Sequence, residues 1–288
     1  MTPTIKIHIA VFAVLLLALP TLSHAATIVN HDFNDSTFGP LGHASFWSIQ
    51  STGGVGNSPA ARLTYSEAGT AGKEIIANVS SYNSNVFWVE LDVKIQGTMT
   101  GGSKFIKFFG KDANGSSKQV NNMTLGMEYG SNVNTRVSYY GDTLCGDPWS
   151  GPATYGDCGS QWIKTGSNID ARGGSWGHYK VYVKRADSGK KNGETKVWWN
   201  GALVAHITGQ DSNPTSFGNS TGFNQIQFGG YNDARYFTSS SPTYYMWMDN
   251  IYVGTTEKSG SSTTQPPTTP PSTTDTTAPK VPSGVRVQ

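Results

Sequence analysis

Val86-Phe87-Trp88-Val89-Glu90-Leu91-Asp92-Val93-Lys94-Ile95 is the stretch that decides the fold class. Phe87, Val89, Leu91, Val93 and Ile95 are apolar, and Trp88, Glu90, Asp92 and Lys94 alternate with them. A period of two marks a strand with one face on a core and the other on water. Tyr179, Val181 and Val183 alternate in the same way with Lys180, Tyr182 and Lys184, and Met123, Leu125, Met127 and Tyr129 form a third set. Further strands are predicted over 104–109, 135–140, 195–207, 223–231 and 244–253. Asn200-Gly201 lies between Val197-Trp198-Trp199 and Ala202-Leu203-Val204, where it predicts a two-residue hairpin turn. No stretch carries a helical stripe. Roughly a dozen strands with glycine-rich turns over about 230 residues predict an all-β fold, a two-sheet antiparallel β-sandwich.

Composition agrees. The chain has 288 residues, with 34 glycines, 11% aromatic and only 14% charged residues. The formal charge is +2, which gives no electrostatic footprint for nucleic acid. Residues 1–25 read as an export signal: Lys6 is basic, Ile9 to Leu19 is an apolar run, and Ser23-His24-Ala25 supplies small residues for cleavage after Ala25. The run is shorter than the roughly 20 apolar residues a membrane-spanning helix needs, so no membrane insertion is expected. A secreted location favours a disulfide between Cys145 and Cys158, which would contribute about 3 kcal/mol on the chain-entropy model.

Residues 26–256 read as one sandwich. Residues 257–278 are rich in Pro, Thr and Ser and read as an extended linker. From Ala278 to Gln288 the pattern Ala-Pro-x-x-Pro-x-Gly-Val resembles the opening of a fibronectin type III module, so 279–288 is expected to be the start of a truncated second module, with further modules beyond the linker.

Three pieces of the body, taken in order, carry a wider resemblance. They are Trp176-Gly177-His178-Tyr179-Lys180-Val181-Tyr182-Val183 with Lys196-Val197-Trp198-Trp199-Asn200-Gly201-Ala202-Leu203-Val204, then Ile226-Gln227-Phe228-Gly229-Gly230-Tyr231, then Met248-Asp249-Asn250-Ile251-Tyr252-Val253. Together they resemble the concanavalin A-like jelly roll of lectins, laminarinases and polysaccharide lyases. The ends also resemble carbohydrate-binding jelly rolls in which an N-terminal acidic segment meets an Asp on the last strand. That resemblance implies one structural calcium ion held by Asp32, Asn34, Asp35 and Asp249, and hard oxygen donors suit that ion. The alternative is a turn-rich N-terminus with Asp249 capping backbone amides.

Three constellations bear on chemistry. Glu90 and Asp92 share a strand face roughly 6.5–7 Å apart, whereas retaining glycosidases hold their pair at about 5–5.5 Å. Laminarinases carry Glu-x-Asp-x-x-Glu there, and Ile95 stands where the last Glu belongs; a solvated polar face is the expected reading. Gln225-Ile226-Gln227 looks like the Gln-x-His strand of alginate lyases with Gln replacing His, and the Arg-x-Glu-x-Arg strand of that family is missing. Tyr140, Arg136 and Gln227 are the catalytic candidates if the chain is a lyase, with Tyr moving the proton and Arg and Gln polarising a uronate carboxylate. Arg136, Tyr140, Gln225, Gln227 and Tyr231 are expected to line one groove, the resemblance placing their two strands side by side. Aromatics in turn-rich segments suit stacking on sugar C–H faces and add Trp149, Trp162, Arg235 and Tyr236 to the carbohydrate-binding candidates. Phe87, Phe105, Phe228 and Trp247 are expected in the core. His31, His43, His178 and His206 have no metal spacing and read as surface or hydrogen-bonded structural residues.

The leading expectation is a secreted protein that binds polysaccharide, since no catalytic pattern survives whole. A uronate-active polysaccharide lyase is the alternative, and an adhesive surface protein with protein partners is a second one.

Overall fold

The computed structural model describes residues 25–65, 74–97, 103–112, 114–127, 133–139, 143–145, 161–163, 174–210, 212, 213, 215, 222–232 and 244–260. In β8 to β11 and at a few other strand positions it describes the backbone alone. In chain order the strands are β1 (Thr27–His31), β2 (Gly42–His43), β3 (Trp47–Gln50), β4 (Ala60–Tyr65), β5 (Ile75–Asn78), β6 (Val86–Gln96), β7 (Ser103–Lys111) and β8 (Ser117–Met127). They continue with β9 (Val133–Tyr139), β10 (Thr143–Cys145), β11 (Gln161–Ile163), β12 (Gly177–Lys184), β13 (Gly193–Trp199), β14 (Ala202–Gln210), β15 (Phe223–Asn232) and β16 (Tyr244–Gly254).

These strands form two antiparallel sheets. A nine-stranded sheet runs β11-β14-β13-β12-β6-β16-β4-β3, with β1 also paired to β16. A seven-stranded sheet runs β10-β9-β8-β7-β15-β5-β2. The expected sandwich is what the chain builds. The signal segment, the residues after Gly260 and the start of the second module lie outside the described residues.

The alternation in β6 explains its central place. Phe87, Val89, Leu91, Val93 and Ile95 are at most 1% exposed and face the other sheet. There they meet Ile106 and Phe108 of β7 and Ile226 and Phe228 of β15. Phe223 makes edge contacts with Phe87 at 5.5 Å and Phe108 at 5.8 Å, tying the two layers together. Each large apolar side chain so buried contributes about 1.5–3 kcal/mol. The hairpin β13–β14 turns at Asn200 and Gly201, with φ of 46° and 80°, the doubly left-handed geometry that asparagine–glycine favours.

Trp247 is buried as expected, at 7% exposed, but lies outside the inter-sheet cluster. Trp247 precedes Met248, which points inward, so Trp247 points out of the nine-stranded sheet and is covered by Lys94 and Arg62, 4.5 Å and 5.4 Å from its ring. The period-two rule required this, because Met246 and Met248 fill the core at 0% exposure.

Arg185 closes one end of the sandwich. It is fully buried just beyond β12. Its guanidinium donates to the carbonyls of Gly222 (2.6 Å) and Lys111 (3.0 Å) and to Asn213 Oδ1 (2.9 Å), joining segments from both sheets. Gly110 leaves room for it, since a Cβ there would lie 2.7 Å from the Arg185 Cζ. Burial pulls the Arg185 pKa down to about 10, still well above neutrality. Arg185→Leu strands the carbonyls it bonds and is expected to cost about 3–5 kcal/mol. Chemical denaturation should show that loss, and Gly110→Leu should reproduce much of it.

Candidate functional site

The seven-stranded sheet turns a polar face away from the core. Ile226 and Phe228 of β15 are buried inward, so Gln225 and Gln227 between and beside them point outward and are half-buried. On β7, Ile106 and Phe108 point inward and Lys107 outward. Cross-strand register then sets two rows across the sheet. One runs Ile76, Gln227, Lys107, Asn122, Ser138 from β5 to β9. The other runs Tyr231, Lys104, Thr124, Arg136. At the usual strand spacing each row spans roughly 14 Å between β15 and β9, room for several sugars of an extended chain.

Lys107 is the feature that stands out on this face. It is 6% exposed, yet it is a lysine. Its Nζ donates to Glu74 Oε1 at 2.7 Å, reaching past Gln227 to the residue before β5. Glu74 is held in turn through its carbonyl, which accepts from the Ala44 amide beside β2. A buried ammonium is tolerable only with such a partner. Neither residue was among the sequence candidates. A lysine in the middle of Phe105-Ile106-Lys107-Phe108-Phe109 was the available signal for one; nothing local marks Glu74.

The bulge in β15 shapes the same face. Register shifts between Phe228 and Tyr231, where Gly229 takes φ of 69°. A Cβ on Gly229 would lie 2.8 Å from the Trp47 ring, so only glycine fits there.

The proposed groove residues divide. Arg136, Gln225, Gln227 and Tyr231 belong to one sheet, as expected, but β9 and β15 are not neighbours: β8 and β7 lie between them. The long β7–β8 hairpin inserts itself there because both its strands pair along nearly their whole length. Trp162 lies in β11, at the edge of the other sheet, where it pairs with His206; it is not part of this face. Cys145 lies in β10. Tyr140, Trp149, Cys158, Arg235 and Tyr236 lie outside the described residues.

The donors suggested for calcium are engaged otherwise. Asp249 Oδ2 accepts from the Val55 amide (2.9 Å) and Ser58 Oγ (3.2 Å), and Oδ1 accepts from the Asn250 amide (2.8 Å). Asp32 accepts from Asn34, and Asp35 accepts from the Thr37 amide, within the exposed turn after β1. Among the described residues no three of His, Cys, Asp and Glu gather as a metal-holding group. Asp249 thus caps backbone amides, as the alternative has it.

Glu90 and Asp92 are not on a solvated face. They are 1% and 9% exposed on the outer side of the nine-stranded sheet. His178 of β12 lies between them, with Nδ1 2.9 Å from Asp92 Oδ1 and Nε2 3.5 Å from Glu90 Oε2. Asn250, left-handed at a bulge in β16, donates to Asp92 Oδ2 at 2.7 Å. Burial alone would lower the His178 pKa, but the hydrogen bonds and charges of Asp92 and Glu90 outweigh it and raise the value to about 9. Burial raises Asp249 beside them to about 6, against its backbone and Ser58 hydrogen bonds. An imidazolium clamped between two carboxylates joins β6, β12 and β16. Both acids are engaged within the scaffold.

No protein-family profile matches the chain, and no curated protein matches its sequence. Solved structures do. The alginate lyase Aly36B aligns with a TM-score of 0.52 at 17% identity, over 82% of this chain and 97% of that one. A doubly substituted form of it, solved with alginate tetrasaccharide, aligns equally well at 0.52 and 16% identity. The alginate lyase vAL-1 from Chlorella virus aligns at 0.51 and 12% identity, over 79% of this chain and 99% of that one. The fold is the one these lyases share.

The His178 clamp carries a pH signature. A histidine raised from 6.5 to about 9 in the folded state stabilises fully below 6.5 and loses that contribution as pH rises through about 9. His178→Gln should therefore melt below the parent protein at neutral pH, with the gap closing as the pH passes about 9. A gap independent of pH would assign the histidine a packing role only.

Proposed function

We propose that this protein is a secreted polysaccharide lyase that binds a uronate-containing glycan across the seven-stranded sheet and cleaves it by β-elimination. The observation that carries this is the Lys107–Glu74 pair, placed between Gln227 and Asn122 in the middle of the polar face. A uronate carboxylate must be neutralised before the hydrogen on C5 becomes acidic enough to leave, and Lys107, shared with Glu74, places a cationic donor in the middle of that face.

The chemistry follows from that placement. Lys107 and the Gln227 amide hold the carboxylate and withdraw its charge. A base removes the C5 proton, and the C5–H electron pair becomes the C4=C5 double bond. The C4–O bond breaks with its electrons going to oxygen, which takes up a proton as the new chain end leaves. Tyr140, next in sequence after β9, is the candidate for proton transfer, and Arg136, in the adjacent row, pairs with a neighbouring uronate. The alginate lyases of the same fold support this reading over binding alone.

The test is the full chain incubated with alginate, glucuronan and polygalacturonate while the ultraviolet absorbance of the conjugated unsaturated product is followed. Product is expected from one of these and none from a neutral glucan. Tyr140→Phe should lower the rate roughly 100-fold with binding retained. Lys107→Met should remove both activity and the preference for acidic over neutral glycan. Tight, Lys107-dependent binding of acidic glycan without any unsaturated product would reduce the protein to a binding module.

A further inference from the structure

The outer face of the nine-stranded sheet, on the opposite side of the sandwich, has features its scaffold role does not require. Outward positions of a half-buried antiparallel sheet are ordinarily polar. Here Trp88, Tyr182 and Trp198, from β6, β12 and β13, form a continuous half-buried aromatic strip. Trp88 lies 5.0 Å from Tyr182 and 5.8 Å from Trp198, the two indoles within 23° of parallel. Lys180 sits 5.4 Å and 5.0 Å from the two Trp rings, and Lys196 sits 5.2 Å from Tyr182.

Cations moderately outnumber carboxylates on this face. Arg62, Lys94, Lys184 and Lys258 join Lys180 and Lys196 on its outward side or rim. Among the described residues of the strip, the partly exposed carboxylates are Glu194 and Glu257, which pair with Lys196 and Lys180. Glu90, Asp92 and Asp249 are buried beneath, with His178 against Glu90 and Asp92, Asn250 donating to Asp92 and the Val55 amide donating to Asp249. Flat aromatic rings interleaved with lysines at strand spacing match a polymer whose sugar faces are apolar and whose substituents are anionic.

We infer that the Trp88–Tyr182–Trp198 strip is a second binding site for acidic polysaccharide, separate from the groove on the seven-stranded sheet. The two sites would let one molecule hold a polymer on one face while its groove works on another segment, raising the local concentration of substrate. This site stands whether or not the groove is catalytic.

The experiment is electrophoresis of the full chain through gels containing alginate, with a neutral β-glucan as control. The double variant Trp198→Ala, Lys180→Ala is expected to bind alginate about tenfold more weakly, equivalent to about 1.4 kcal/mol. Trp198→Phe, which keeps a ring, should stay near the parent value, and this guards against a loss that merely reports misfolding. The effect should add to that of Lys107→Met, as independent sites do. If the lyase reading holds, turnover of a trisaccharide too short to reach both faces should be unaffected by the double variant. Any of the following results would overturn the inference. One is unchanged retardation in the double variant, or loss only in the Lys107 background. Another is an equal loss for the neutral glucan. The third is binding at the strip only after residues 261–288 are removed, which would make its occupant the chain's own Pro/Thr segment.

Discussion

In a two-sheet sandwich every strand gives one face to the space between the sheets, and only the other face remains for chemistry. The constraint is severe here because the inner faces are filled without exception along β6, where five alternate residues are at most 1% exposed. Any polar side chain on these strands must therefore appear on one of two outer surfaces. Lys107, Gln225 and Gln227 go to one, and Glu90, Asp92, His178 and the aromatic strip go to the other, because of a single parity. Shifting β7 by one residue would put Lys107 in the core and Phe108 in the groove.

The two surfaces hold buried charge for different ends. Around His178 every partner belongs to the scaffold: Asp92 from β6, Glu90 from β6, Asn250 from the β16 bulge. The cluster lies at the junction of three strands. Lys107 instead relies on Glu74, a residue outside any strand and anchored by one backbone bond to the β2 segment. An ion pair built from a central strand and a connecting segment costs desolvation that a hydrophobic pair would avoid. The proposed role in holding a uronate carboxylate gives a reason to keep it that stability does not.

Much of the fold was legible in particular residues. The alternation at Phe87 to Ile95, the Asn200-Gly201 turn and the strands of β15 and β16 follow from period and turn chemistry, which are local. The site was only half legible. Gln225 and Gln227 could be placed on an outward face from Ile226 and Phe228 alone. That β7 and β8 separate them from Arg136 could not, since strand order depends on which hairpins insert where. The Lys107–Glu74 contact joins residues far apart in sequence across a neighbouring strand, and no spacing rule encodes it. Trp247 is buried, as its aromatic character suggests, but parity puts it outside the space between the sheets, which Met246 and Met248 fill.

Parity also bears on how one sandwich can serve a long polymer. The two outer faces are separated by both sheets and the core between them and can be tuned independently, because a substitution on the outer face of β12 touches none of the residues that line the seven-stranded face. Tyr182 and Lys180 alternate with Val181 and Val183, so the strip can change in aromatic content without disturbing the core. The groove lacks that freedom. Lys107 is flanked by Ile106 and Phe108 in the core and held by Glu74, and Gln227 is fixed beside the Gly229 bulge against Trp47. On the proposed function, the rigid, over-determined face is where a carboxylate would be positioned for proton removal, and the loosely constrained face is where affinity for the polymer would be adjusted.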